Sequence, residues 1–560
     1  MKYWNNHKLN FYLFSVLIFF IYFLSPFSSI FANFPQTNFV ATPDSNATKI
    51  AEEILSEGGN AVDAGIAAMF ALTVVEPFSN GLGGGGLLVV HINNSRKTKT
   101  INFREAAPIN VDPKNYYQSN EDFEFYSSIG WGSICVPGMV AGADKALKTF
   151  GTKTIDQILK PVIKLAENGF PVNESLNKLF IKYYDHLEAD RNTSEIFFPD
   201  WMPKTEGEIL KRDDLALTYK LMSTQGAQIF YEGEIAEKID LEMKSNNGLI
   251  RLPDLYEYEA TVNKSVKSTY KDCEINTVPL PSSAGVQILE LLKILEKYDL
   301  KKLSLNSGPY IHLFVEACKL VFQDRSKFQF GVTRDSTKDY KFLISKENIS
   351  QVSKKIDSLK VRSNDGIVVS HSEIRNASQI SIIDKFGNAV SISLSLNHFF
   401  GSGIMLEKYG VLFNNAMNNF SREPNNSNSI KPKRRPQISL APIILIRNQK
   451  PFLVIGGSSG ERVISTLAQI IINVLEFNSS LKDAVDAPRF SYNYYNNTVE
   501  MESRIESNSI DYLKKLGHKT KLMNAYDVYF GNVQAVLYDS IRKKCYKMND
   551  VRQEEVVYFD

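Results

Sequence analysis

The chain has 560 residues, of which 43% are hydrophobic and 22% are charged, so it can bury a large core. Its length alone would suggest about three or four domains, but no Pro-, Gly- or Ser-rich linker divides it, and we expect one large two-part globule. Lysine plus arginine (64) and aspartate plus glutamate (62) nearly balance. Without a strong positive field, neither nucleic acid nor an anionic membrane is an expected partner.

The first 32 residues differ from the rest of the chain. Lys2 and Lys8 precede an apolar run over residues 11–24, and small residues lead to Ala32, which is the layout of a secretory signal peptide. The run is shorter than the about 20 residues that span a bilayer. Because Ile30 suits a cleavage site poorly, a retained N-terminal membrane tether is the alternative. Both interpretations predict an exported protein, periplasmic or extracellular, with no membrane contact elsewhere.

After the first 32 residues, the first predicted elements are helices. A helix is predicted over 46–56 with Ser45 as its cap, and a second one, apolar on all sides, over 61–75. Strands are predicted over 87–92 and 98–103, and helices dominate from 139 to about 295. The segment Gly81–Gly86 satisfies G-x-G-x-x-G, but it follows a helix and precedes a strand, the reverse of the dinucleotide-binding order. It predicts a backbone turn, and no cofactor is expected.

From Ile380 onward the hydrophobic period changes to two. Residues 390–396 alternate serines with aliphatic side chains, after an Asp-Lys-Phe-Gly-Asn hairpin signal at 384–388. Further strands are predicted over 442–447, 451–455 and 534–538, with a helix over 461–477. Helices before and after these strands predict an α+β fold of two sheets covered on both outer faces. Residues 420–435, rich in Asn, Ser, Lys and Arg, predict a mobile, solvated loop.

Metal-binding patterns are lacking. Four widely spaced cysteines contain no C-x-x-C pair, so neither a disulfide framework nor a zinc site is expected. The seven histidines include no H-x-x-x-H or H-E-x-x-H pair. We therefore predict no metal. A different pattern, G-x-S-x-G, occurs at Gly456–Gly460. With Asp483 or Asp486 and His518 downstream, it would suit a serine hydrolase using Ser458, although the antiparallel strands before it do not fit that fold.

A series of short motifs runs along the chain, and these motifs are most closely spaced between Asn376 and Phe420. They are Glu57–Asp63, Leu82–Gly86, Phe103-Arg-Glu105, Val136–Gly142, Pro281-Ser-Ser283, Asp324-Arg-Ser326, Ser381–Asp384, Gly387–Val390, Leu396-Asn397, Phe400–Gly403, Phe413-Asn-Asn415, Ala487–Phe490 and Asp550-Val-Arg552. In these motifs the chain resembles the γ-glutamyltransferases, or glutathione hydrolases, of the N-terminal-nucleophile hydrolase superfamily.

The resemblance implies a four-layer αββα sandwich, with residues 33–376 resembling the family's large subunit and 377–560 its small subunit. Family members cut their own chain, and the freed N-terminal threonine supplies the nucleophilic oxygen and, through its amine, the base. Here Ala377 occupies that position, so we expect neither self-cleavage nor turnover. An active transferase, hydrolase or related amidase using Ser378 is the alternative, but a shift of one residue turns a strand side chain to the opposite face.

The same resemblance maps the rest of the site onto this chain. It implies a supporting hydroxyl at Ser395, an oxyanion pair at Ser459 and Gly460, carboxylate contacts from Arg104 and Ser439, and an amine contact from Asn397. Three positions depart from the family pattern, where Ile438 replaces a serine, Ala416 an amide or acid, and Asn419 an aspartate. An ammonium that loses such partners loses about 1.5–3 kcal/mol per charge-assisted bond. A small γ-glutamyl or amino-acid-like ligand is thus a possible partner, bound weakly if it is glutamate-like. Alternatively, Arg104 forms only a structural ion pair.

Overall fold

Two six-stranded antiparallel sheets lie at the centre of the computed structural model, which describes residues 37–328, 336–363, 376–540 and 542–552. The sheet order is β1-β7-β8-β2-β3-β4 in the first and β12-β11-β10-β9-β6-β5 in the second. These strands are β1 Phe39–Ala41, β2 Gly85–Ile92, β3 Lys97–Phe103, β4 Thr261–Lys264, β5 Val266–Tyr270, β6 Cys273–Thr277, β7 Asn376–Ile383, β8 Ala389–Asn397, β9 Ile443–Arg447, β10 Lys450–Ser458, β11 Asn532–Asp539 and β12 Lys544–Asn549.

Helices cover the outer face of each sheet. The α-helices are Ser45–Ser56, Ala61–Val75, Asn120–Ser128, Met139–Phe150, Ile155–Asn168, Glu174–Lys182, Tyr184–Glu188, Arg191–Phe197, Asp213–Gln225, Ile229–Glu232, Glu234–Ser245, Leu252–Tyr256, Ala284–Leu295, Gly308–Phe328, Ser336–Leu343, Lys346–Ser353, Val463–Leu475, Leu481–Asp486 and Ser507–Leu516. A smaller sheet of Phe490–Asn493, Thr498–Glu502 and Lys519–Met523 lies beside the second layer of helices.

Three apolar layers hold this arrangement together. Helix Ala61–Val75, buried along its whole length, packs on β7 and β8 in one outer core. Helices Ala284–Leu295 and Val463–Leu475 pack on the second sheet in the other. Between the sheets lies a third core that includes Leu87, Val454 and Val536. The predicted α+β, four-layer αββα sandwich is therefore confirmed.

The hairpin between β7 and β8 is fixed by one carboxylate. Asp384 accepts hydrogen bonds from the backbone N–H groups of Phe386 (2.9 Å) and Asn388 (2.8 Å), and from that of Ala61 at the start of the buried helix (3.0 Å). Gly387 takes a left-handed conformation with φ 81°. The predicted hairpin is thus confirmed, and the turn also fixes the sheet to its covering helix.

Two local predictions were wrong. The first long helix spans Ser45–Ser56 and its cap is Asp44, whose carboxylate accepts from the N–H of Asn46 at 2.6 Å; Ser45 is the first helical residue. Residues 420–435 form neither helix nor strand, but they are not a solvated loop throughout. Ile430 is buried, and the Arg435 guanidinium donates to the Asn102 carbonyl at 2.9 Å. Capping and side-chain hydrogen bonds satisfy this backbone.

Residues 1–32, where a signal peptide or tether is predicted, lie outside the described residues. Within the described ranges, no helix is both long enough and apolar enough to cross a bilayer.

A buried ion cluster joins the end of the chain to the small sheet. Arg552 forms ion pairs with Glu502 at 2.6 Å and with Asp550 at 3.0 Å, and Arg489 also contacts Asp550. All four side chains are almost completely inaccessible to solvent. Removing one partner of a buried pair leaves a charge without compensation.

We expect Arg552→Met to lower the free energy of unfolding by about 3–5 kcal/mol. As a control, Arg542→Met breaks a surface pair with Asp539 and should cost about 0–1 kcal/mol. Urea denaturation of both variants checks this difference, and equal losses would show that burial of the cluster contributes nothing special.

Candidate functional site

The site predicted from the sequence begins at the first residues of β7. The Ser395 hydroxyl donates to the carbonyl of Asn376 at 2.6 Å and accepts from the N–H of Asn397 at 2.8 Å. This places Ala377 beside Ser395 at one end of the first sheet. Ala377 packs in the core between the sheets together with Ile438, so its methyl group faces the second sheet.

A small cavity brings most of the predicted residues together. Its volume is about 10 Å³, which is room for about one water molecule. Its lining includes Ala377, Ser395, Asn397, Ile438, Ser439, Ser458, Ser459 and Gly460. The hydroxyl of Ser459 is buried and has no hydrogen-bond partner among the described residues. Ligand pockets commonly have about 300–1,000 Å³, so this cavity holds no amino-acid-sized molecule in the present conformation.

A much larger cleft shares Asn376, Ala377, Ser458 and Ser459 with the small cavity. It has a volume of about 950 Å³, and Ala377 and Ser459 line it together with Glu76, Ser79 and Asn532. The cleft is large enough for a small-molecule ligand. Ala377 therefore lines both the small cavity and the large cleft.

Arg104, Ala416 and Asn419 do not line the small cavity. Arg104 directly follows β3, which is three strands from β7, about 14 Å at the usual strand spacing. It is fully buried and ion-paired with Glu105. A Cβ on Gly85 would approach the Glu105 carboxyl carbon to 2.9 Å, so only glycine leaves room for this pair.

Several polar atoms at these positions are buried and unpaired within the described residues. The guanidinium of Arg104 has two such nitrogens, Nε and Nη2, and both amide atoms of Asn419 are in the same state, as is Oδ1 of Asn397. Burial raises the pKa of Glu105, an effect opposed by the charge of Arg104. Unpaired buried donors and acceptors are costly, and they are common where a ligand or water binds.

Comparison with known proteins identifies the family. Residues 47–559 match the family model described as Gamma-glutamyltranspeptidase. The chain belongs to this family. It is 32% identical over 516 residues to the glutathione hydrolase proenzyme of Escherichia coli (strain K12), covering 89% of this chain and 87% of that protein. It is 31% identical over 518 residues to the glutathione hydrolase proenzyme of Bacillus subtilis (strain 168), with the same coverage.

Solved structures agree with this assignment. A cephalosporin acylase from Bacillus halodurans superposes with a TM-score of 0.82 at 25% identity, covering 93% of this chain and 95% of that one. The γ-glutamyltranspeptidase of Helicobacter pylori superposes with a TM-score of 0.55 at 32% identity, covering 58% of this chain and 93% of that one. The fold is thus that of the N-terminal-nucleophile hydrolases.

In this γ-glutamyltranspeptidase-family chain, Ser378 lies on the face of β7 opposite Ala377, as strand alternation predicts. Its hydroxyl donates to Oε2 of the Glu76 carboxyl group at 2.6 Å and also contacts the hydroxyl of Ser79. Burial raises the pKa of Glu76 to about 8, while the Ser378 hydrogen bond opposes that shift. Sequence analysis missed this cluster, because no local pattern links residues 302 positions apart.

The serine hydrolase alternative is not supported. Ser458 donates to the side-chain oxygen of Asn532 at 3.1 Å, while the His518 ring is hydrogen-bonded to His312 at 2.8 Å. The strand that ends at Ser458 is antiparallel to both neighbours. A serine hydrolase of this type needs a histidine hydrogen-bonded to the serine, and it carries that serine on the strand-to-helix turn of an α/β-hydrolase sheet.

One group of potential metal ligands exists within the described residues, although the sequence predicted none. His312, Glu316 and His518 place ligand atoms within 4.8 Å of one another. The two rings are hydrogen-bonded to each other, and Glu316 accepts from Lys319 at 2.8 Å and from the N–H of Arg362 at 3.1 Å. These bonds account for the cluster as a network of protein groups alone.

Glu76 predicts a pH effect on stability. Its pKa is about 8 in the folded chain and 4.5 as the ordinary value, so between these values only the folded state keeps the proton. Stability should therefore fall as pH rises, by about 1.4 kcal/mol per pH unit from this group. Glu76→Gln removes this titration. We therefore expect its free energy of unfolding, relative to that of the wild type, to increase as the pH rises from 5 to 8.

Thermal and urea denaturation of the two proteins across this pH range measure the difference. Asp185→Asn, a change at an exposed carboxylate, is the control and should run parallel to the wild type. If the stability of Glu76→Gln also ran parallel to that of the wild type, Glu76 would not keep its proton in the folded state over this pH range.

Proposed function

We propose that this chain is an exported γ-glutamyltransferase-family protein that neither cuts itself nor turns over γ-glutamyl substrates, and that it acts by binding. The observation that carries the proposal is Ala377, a methyl group where the family resemblance requires a hydroxyl. Acyl transfer by this family needs a nucleophilic oxygen and its amine at one position. Residues 33–376 and 377–560 would then remain one chain.

The other positions of the proposed site differ in how well they match the family pattern. Ser395, Ser459 and Gly460 line the same small cavity as Ala377, which supports the roles proposed for them beside the nucleophile position and at the oxyanion. Ile438, by contrast, contributes an aliphatic side chain to the lining of the same cavity. A site that retains these supporting groups but has no nucleophilic oxygen is consistent with binding without turnover.

The carboxylate-binding half of the site is proposed to survive better than the amine-binding half. Arg104 keeps two unpaired buried nitrogens, which are suitable donors for a carboxylate. Ala416 and Asn419 carry no charge to pair with an ammonium. We therefore expect a ligand with a carboxylate, and only weak binding of glutamate or of γ-glutamyl compounds such as glutathione.

Export is proposed from the first 32 residues, whose pattern is that of a signal peptide or tether. No nucleic-acid partner is proposed, because the net charge is only +2.

The second candidate is a working transferase, hydrolase or related amidase that uses Ser378. The observation in its favour is the carboxyl of Glu76, which accepts from the Ser378 hydroxyl at 2.6 Å and has a pKa near neutrality, about 8. Against it, Ser378 faces the helical layer and does not line the cavity of Ser459 and Gly460. A nucleophile there would act without the proposed oxyanion pair.

Substitutions at Ala377 separate these candidates. We expect the wild type to remain uncut on a denaturing gel, whereas Ala377→Thr, which restores a hydroxyl, yields fragments corresponding to residues 33–376 and 377–560. Ala377→Val is the matched control, since it has the shape of threonine without the oxygen, and it should stay uncut. Overpacking of the small cavity should cost both variants about 1–3 kcal/mol equally.

Fragments from the wild type or from the valine variant would refute the proposal. If those fragments vanished in Ser378→Ala, the Ser378 enzyme would be favoured instead. A threonine variant that stays uncut would show that the missing oxygen is not what prevents cleavage.

A second substitution tests the amine side of the pocket. Asn419→Asp adds a charge with almost no change in shape, and we expect it to strengthen glutamate binding about tenfold or more by restoring one charge-assisted bond. Asn418→Asp is the control, because the Asn418 side chain bonds to the hydroxyls of Ser127 and Ser128 instead. Isothermal titration calorimetry measures both. Equal affinities in the two variants would remove Asn419 from the proposed pocket.

A further inference from the structure

Arg462 lines the large cleft beside Ala377, and the family resemblance assigns it no role. It shares one wall of the cleft with Ser459 and Val528. Arg104, the arginine that the resemblance assigns to a carboxylate, lines neither this cleft nor the small cavity. A ligand that enters the cleft therefore meets a different arginine.

The guanidinium of Arg462 is held in place from one side. Its Nε donates to the carbonyl of Tyr529 at 2.6 Å, and its Cζ lies 4.0 Å from the centroid of the Tyr529 ring. Among the described residues, its terminal nitrogens Nη1 and Nη2 form neither a hydrogen bond nor an ion pair. Because arginine presents these nitrogens as a planar fork, a guanidinium that is fixed in this way is prepared for a carboxylate.

A buried hydroxyl lies on the same wall. Ser459 is 6% exposed, and its Oγ has no hydrogen-bond partner within the described ranges. The N–H of Arg462 donates to the Ser459 carbonyl at 3.3 Å, so both residues belong to one turn. Helix Val463–Leu475 begins at this turn without a side-chain cap, and the positive end of its dipole also favours an anion.

The acidic side chains of the cleft leave the charge of Arg462 without a partner. Burial raises the pKa of Glu76 to about 8, so this group is protonated at neutral pH, and Asp44 caps a helix. Lys49 and Glu206 also line the cleft, and their charges are opposite. The other three acids are ion-paired, namely Glu52 with Lys547 (3.2 Å), Glu174 with Lys178 (2.7 Å) and Asp550 with Arg552 (3.0 Å).

A second wall of the cleft is aromatic. Phe78 and Phe399 both line the cleft, and their rings stack with centroids 6.3 Å apart. The residue after Phe78 contacts the hydroxyl of Ser378. Ser459, on the first wall, shares the small cavity with Ala377. Consecutive residues of β7 thus join the two walls, and one small molecule can contact both.

We propose that the large cleft binds a carboxylate that carries an apolar or aromatic group. The carboxylate contacts Nη1 and Nη2 of Arg462 and the Ser459 hydroxyl, and the apolar group contacts Phe78 and Phe399. One arginine and one neutral hydroxyl match a single negative charge, and about 950 Å³ is enough for such a molecule. This inference rests on the binding role proposed above and gives that role a ligand class.

The test is isothermal titration calorimetry of the full chain with N-acetylphenylalanine and with its uncharged analogue, N-acetylphenylalaninamide. We expect saturable binding of the acid and about tenfold or more weaker binding of the amide, since the charge-assisted contact is lost. Arg462→Gln should weaken binding of the acid by a similar factor and leave binding of the amide nearly unchanged. Ser459→Ala should weaken binding of the acid about threefold or more.

Arg542→Gln is the matched control. Arg542 is exposed and pairs with Asp539 at the end of β11, whereas the cleft is lined by Asn532 at the other end of that strand. This variant should bind the acid as the wild type does. Thermal unfolding identifies any variant that fails to fold, and the comparison of acid with amide in the wild type needs no variant.

Three results would overturn the proposal: no saturable binding of the acid by the wild type, equal affinities for acid and amide, or full affinity for the acid in Arg462→Gln. An equal loss in Arg542→Gln would do so too, because it would reduce the effect to net charge. These measurements report binding directly, so their failure is distinguishable from self-cleavage of the wild type, which would refute the proposed function instead.

Discussion

The alternation of side chains along β7 is the constraint on which the chemistry of this protein depends. Ala377 points between the two sheets, toward Ile438, whereas Ser378 points toward the helical layer and Glu76. A strand allows no intermediate orientation without a change of register. Register in turn is fixed by the Asp384 turn and by the buried helix Ala61–Val75, which cover the far end and the outer face of the strand.

The four-layer architecture shapes the end of the sandwich that carries Ala377. Helices at both outer faces bury each sheet, so the two inner faces can carry an apolar core that also encloses the hydrogen-bonded side chains of Gln379, Ser381, Ser391 and Ser393. Arg104, which follows β3, and Asn397, which ends β8, lie at this end of the first sheet, and both carry buried unpaired atoms, as does Asn419. Such atoms lower stability, and their presence at positions that the family resemblance assigns to ligand contacts is consistent with retained binding.

Much of this was predictable because it is local. Alternating serines in residues 390–396 predicted β8, and the Asp-Lys-Phe-Gly-Asn signal predicted the hairpin, since both depend on neighbours in sequence. The cap at Asp44 was not predicted, because Asp44 and Ser45 are both good caps and the backbone angles decide between them. The pair of Ser378 with Glu76 and the place of Ile438 in the cavity lining required the tertiary structure. Each joins segments that are distant along the chain.

The central claim is that a chain without an oxygen at position 377 cannot form an acyl-enzyme. The most direct measurement is the intact mass of the purified wild-type protein before and after incubation with a chromogenic γ-glutamyl anilide. The account predicts one uncut polypeptide whose mass does not change and no release of the chromophore. A two-chain protein, or a mass increase equal to one γ-glutamyl group, would contradict it.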